Sequence, residues 1–128
     1  MDDRDYISII ADLKFIAQVQ DNEYLNTKSG MTEPKNWINS VIRGLKYPGE
    51  NGKSAAEYCK KAICRGLDLH TKYINTENSE HYVNKIKENI LDAKQAIARL
   101  KKTHQTNNLA VATFEAIEAR IDQHFESI

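Results

Sequence analysis

The chain has 128 residues, 18 basic and 18 acidic side chains, 41% hydrophobic residues and two cysteines. That length fits one domain over 1–128 that buries roughly two thirds of its unfolded surface, so folding calls for no disulfide, metal or cofactor. The longest apolar run is too short to span a bilayer, and Met-Asp-Asp-Arg-Asp lacks the basic start and apolar core of a standard signal, which disfavours membrane insertion and secretion.

Tyr6, Ile9, Ile10, Leu13, Ile16, Ala17 and Gln20 trace one helical face, predicting a first helix over about Arg4 to Gln20. Asp2, Asp3 and Asp5 suit the positive N-terminal end of its dipole. Asp21 to Pro34 reads as a loop anchored by Tyr24, Leu25 and Met31, and a loop of that length is either pinned or functional. Thr32 is placed to cap a second helix opened near Pro34, where a missing N–H costs nothing. Its apolar stripe is Trp37, Ile38, Val41, Ile42 and Leu45, and the turn-rich Tyr47-Pro48-Gly49-Glu50-Asn51-Gly52 ends it.

Ser54 and Glu57 match a capping box and start a third helix with Ala55, Cys59, Ala62, Ile63, Gly66, Leu67, His70, Tyr73 and Ile74 along it. Asn75 to Asn78 breaks the pattern, and Ser79 is placed to cap a long fourth helix. There Val83, Ile86, Ile90, Ala93, Ile97 and Leu100 alternate spacings of three and four. Thr103 to Asn108 forms a turn, and Ala110, Phe114, Ile117, Ile121 and Phe125 line a fifth helix over about Leu109 to Phe125. The expected fold is an all-α, single-domain bundle of about five helices ending in a long antiparallel hairpin. Its core includes Leu13, Ile16, Trp37, Val41, Ile63, Leu67, Ile86, Ile90, Ile97, Leu100, Phe114, Ile117 and Ile121.

Several chemistries fail on spacing. Pro48 to Ser54 ends like a phosphate-binding P-loop in Gly52-Lys53-Ser54, but the required earlier glycine falls at Tyr47 and a helix stands where a strand is needed. His70, His81, His104 and His124 are scattered singly, so any metal site has to be assembled by tertiary contacts. Cys59 and Cys64, five apart on a helix, point to different sides and read as free thiols in a reducing compartment. Glu88 with Asp92 and Glu118 with Asp122 are same-face pairs that read as solvated and offset by nearby cations. No nucleophile elbow is present, and no catalytic, cofactor or metal residue is assigned.

Neutrality hides an uneven charge distribution. Residues 1–33 hold three basic and seven acidic side chains, 34–75 eight and three, 76–102 six and four, and 103–128 one and four. Lys46, Lys53, Lys60, Lys61, Arg65 and Lys72 form a candidate basic strip beside Tyr47 and Tyr58, where phosphate contacts and stacking cooperate in nucleic-acid binding. Zero total charge argues against that reading, and the basic middle can instead pair with the acidic ends of the chain or of another copy. Tyr82 and Leu91, outside the core stripe of the fourth helix, are the candidate interface residues.

Ala11-Asp12-Leu13-Lys14-Phe15-Ile16-Ala17-Gln18-Val19-Gln20 with Asn22-Glu23-Tyr24-Leu25-Asn26 resembles the start of small helical proteins of nucleocytoplasmic large DNA viruses. Ala96 to Thr103 and Ala116 to Ile121 look like their C-terminal hairpin. The likeness covers both ends and about half the chain, leaving Trp37 and the Pro48 to Ser54 turn without counterpart. It implies a virion-associated or accessory protein, in the virion or the host cytoplasm, and transfers no site. The expected function is that of a non-enzymatic interaction or structural module that binds a protein partner or itself, with nucleic-acid binding through the basic middle as the alternative.

Overall fold

The computed structural model describes residues 3–18 and 52–127, which form helices α1 Asp3–Gln18, α2 Gly52–Ile74, α3 Glu80–Thr103 and α4 Asn108–Glu126. The fold is an all-α bundle, with no strand among the described residues. The loop anchors Tyr24, Leu25 and Met31, the helix expected from Pro34 to Leu45 with Trp37 and Val41, and Lys46 and Tyr47 lie outside them.

α2 and α3 pack against each other and against both remaining helices, so that α1 and α4 occupy opposite furrows of the central pair. The apolar stripes meet there. Leu13, Ile16, Ile63, Leu67, Ile86, Ile90, Ile97, Leu100, Phe114, Ile117 and Ile121 are all buried in one cluster. Each such side chain contributes about 1.5–3 kcal/mol through water exclusion, which is offset by the entropy of ordering the chain. Gly66 lies where three helices converge, and a Cβ built on it would stand 3.4 Å from both Ile90 and Leu13. Ile74, placed by spacing on the same apolar line, is 41% exposed, and its neighbour Tyr73 is buried in its place.

Helix ends depart from expectation in two places. α2 begins at Gly52, so Ser54 lies inside its first turn instead of preceding it as a cap. Ser79 does occupy the N-cap position of α3, yet its side chain makes no capping hydrogen bond there. Its hydroxyl turns back to the carbonyls of Tyr73, at 2.8 Å, and Thr76. The reason is the number of carbonyls left open where α2 stops. Asn75 Nδ2 donates to Thr71 O at 3.0 Å and Thr76 Oγ1 to Lys72 O at 2.9 Å, so three side chains close that end. Asn78, at φ 61°, turns the chain in the left-handed region that asparagine tolerates. Between α3 and α4, Asn107 caps in the ordinary way, its side chain accepting from Ala110 N at 3.1 Å.

Candidate functional site

Between α2 and α4 runs an open groove of about 600 Å³. It exists because Ala112, Ala116 and Ala119 fall on one side of α4 and carry too little bulk to fill the space beside α2. Ile63 and Ile117, both buried, form its floor, while Leu109 stands on its rim at 69% exposure. Cys64, half-buried, opens into it, whereas Cys59 is enclosed in the core, where burial pushes its thiol up to about 12. Both thiols are free. The lining holds no histidine or carboxylate among the described residues, so it offers a ligand apolar contact with polar points at Lys60, Thr113, Arg120 and Gln123.

The basic strip is only partly assembled. Lys60 and Lys61 are exposed on α2, Lys53 lies in its first turn, and Lys46 is outside the described residues. Arg65 faces α1, where it pairs with Asp12 at 3.3 Å and donates to Ser8 Oγ at 3.5 Å. Tyr58 donates its hydroxyl to Asp12 Oδ1 at 3.0 Å and sets its ring edge-on to Phe15, 5.7 Å between centroids. Burial and the adjacent Asp12 carboxylate push the phenol well above its ordinary range. Tyr58 therefore serves the α1–α2 contact. Of the two interface candidates, Leu91 is on the surface at 37% exposure. Tyr82 is half-buried, stacked on Tyr73 at 5.2 Å and edge-on to Tyr6 at 4.9 Å.

The carboxylate pairs are offset differently. Glu118 accepts from Lys101 Nζ at 2.7 Å and Asp122 from Lys94 Nζ, both across α3 and α4. The Glu118 hydrogen bond, followed by the Glu118 and Glu115 charges, raises the affinity of Lys101 for its proton. Glu88 and Asp92 instead line a polar furrow between α1 and α3 with Lys14, Lys85 and Arg99.

Tertiary structure also joins what the sequence scatters. His70 of α2 and His124 of α4 meet with Nδ1 and Nε2 3.0 Å apart, and Phe125 closes over them. His104, in the α3–α4 turn, is wholly buried beside Phe114. No group of three or more potential metal ligands forms among the described residues, and no helix there is long and apolar enough to cross a membrane. The chain matches no protein-family model, no curated protein and no solved structure.

Proposed function

We propose that this protein is a non-enzymatic interaction module that associates with a second copy of itself through the α2–α4 groove. The observation that carries the reading is the exposed apolar rim and alanine-lined wall at Leu109, Ala112, Ala116 and Ala119 over a floor of core isoleucines. The groove runs along both helices, so a two-fold contact sets α2 of one copy on α4 of the other. Zero net charge leaves no overall repulsion between copies.

About five helices in all and an antiparallel α3–α4 hairpin belong to this proposal. The opposite order of Lys94–Asp122 and Lys101–Glu118 along the two helices supports the hairpin. The likeness of both chain ends to viral helical proteins supports a role in a virion or in infected-cell cytoplasm. The engagement of Arg65 and Tyr58 by Asp12 weighs toward the protein partner and against nucleic acid.

Size-exclusion chromatography with light scattering on two variants tests the surface. Leu109→Asp lowers the fraction of dimer with helicity unchanged, while Leu91→Asp, which lies off the groove, leaves it intact. The reverse ranking moves the interface to α3, and a monomeric wild type removes it.

A further inference from the structure

Two histidines, outside the groove lining, also join α2 to α4. His70 is 2% exposed, and its Nε2 is buried without a hydrogen-bond partner among the described residues. Its Nδ1 lies 3.0 Å from His124 Nε2, while the ring centroids are 5.1 Å apart. The centroid separation exceeds the nitrogen separation by nearly the two ring radii, so the contact lies close to the line of centres. The two nitrogens therefore aim at each other. An ion between them needs two bonds of about 2 Å each, more than the gap holds, so the geometry is that of an imidazole–imidazole hydrogen bond.

One proton is shared by that contact, and its owner follows from burial. A buried N–H without an acceptor is rarer and costlier than a buried lone pair without a donor. His70 therefore carries its proton on Nδ1 and donates to His124 Nε2, leaving a lone pair at Nε2. His124 then holds its own proton on Nδ1. The only lone pair left to accept another proton is His70 Nε2, in a dry place with no acceptor facing it.

We propose that the His70–His124 contact is an acid-sensitive latch, tying the last turns of α4 to α2 while both rings are neutral and opening when they take up protons. The surrounding charges act in the same direction. Burial first, then His124 and Lys87 of α3, lower the proton affinity of His70. Burial and Arg120 of α4 lower that of His124, and Asp68 of α2 opposes them. No charge of α1 contributes to either shift. Both folded-state values lie below the ordinary 6.5, so the open form binds more protons as pH falls through that value. The stabilisation is complete above about 6.5 and is lost on acidification.

Two measurements on the full chain test this. Long-range imidazole ¹⁵N spectra at neutral pH report the Nδ1–H tautomer for His70. Amide-exchange protection over 121–127, corrected for intrinsic rates, falls between pH 6.5 and 5 by up to about a hundredfold per pH unit as two protons are taken up. Protection at Ile90 and Ala93 of α3 holds over that range. His124→Gln, which keeps an acceptor but does not titrate, reduces the dependence to about tenfold per unit. An Nε2–H tautomer at His70, an unchanged dependence in His124→Gln, or a loss spread equally over α3 and α4 overturns the latch.

Discussion

The Tyr58 hydroxyl and the Arg65 guanidinium approach opposite oxygens of one carboxylate, Asp12, at 3.0 and 3.3 Å. The arrangement ties α1 to α2, holding the half-buried Tyr58 ring in that contact and pairing Arg65, which stays exposed, with an anion. Tyr58→Phe leaves Asp12 Oδ1 without that donor, and a hydrogen bond to a half-buried charged group is worth about 1–2 kcal/mol. Urea denaturation shows a loss of that size. The phenol is held above its ordinary range, so its contribution is present below about pH 10 and declines as pH rises further. Ultraviolet titration finds a late-ionising tyrosine in the wild type that Tyr58→Phe lacks.

Ile90 and Leu91 are neighbours in sequence with opposite environments, 0% and 37% exposed. Ile90→Ala removes about 2–5 kcal/mol through lost burial and the cavity it leaves, whereas Leu91→Ala stays within about 0.5 kcal/mol. Ile90→Asp buries an unpaired carboxylate and unfolds the domain. Thermal melts followed by circular dichroism rank the three, and a stable Ile90→Asp removes Ile90 from the core.

At Gly66 the balance has a predictable sign. An alanine Cβ meets Ile90 and Leu13 at ordinary contact distance, 3.4 Å, and replacing a mid-helix glycine gains about 0.5–1 kcal/mol. Gly66→Ala raises the denaturation midpoint. Gly66→Val, with two further methyl groups and no room for them, lowers it.

The cysteines report on opposite sides of α2. A maleimide labels Cys64 in the native protein, while Cys59, fully buried with its thiol pushed up to about 12, reacts only on unfolding. Mass spectrometry of the labelled chain separates the two sites. Dimerisation through the groove slows Cys64 labelling as protein concentration rises.

What could be read from sequence was set by local spacing. Ile86, Ile90, Ala93, Ile97 and Leu100 and the series Ala110, Phe114, Ile117 and Ile121 are buried as their periodicity predicts, because helical geometry alone puts them on one side, while Val83 and Phe125, at the ends of the two stripes, are half-buried. Trp37 and Val41 of the expected core lie outside the described residues. Ser79 was legible as a helix boundary but not in its direction, since a hydroxyl between two helices can serve either. The groove was not read from the sequence, although the spacing of Ala112, Ala116 and Ala119 on one side of α4 carries a signal of it. That Leu109 stays on its rim depends on where α2 runs. The His70–His124 contact was not legible at all, for 54 residues separate its partners and only tertiary packing brings them together. Tyr82 shows the converse, an aromatic off the core stripe that finds its neighbours in Tyr6 and Tyr73.

Self-association through the α2–α4 groove is tested most directly by sedimentation equilibrium over a concentration series near neutral pH, with absorbance ratios to detect bound nucleic acid. The expected result is a nucleic-acid-free species of twice the 14.6 kDa chain mass, reverting to a single chain in Leu109→Asp. A wild-type mass of one chain at every concentration, or a complex that holds nucleic acid and dissolves with added salt, contradicts it.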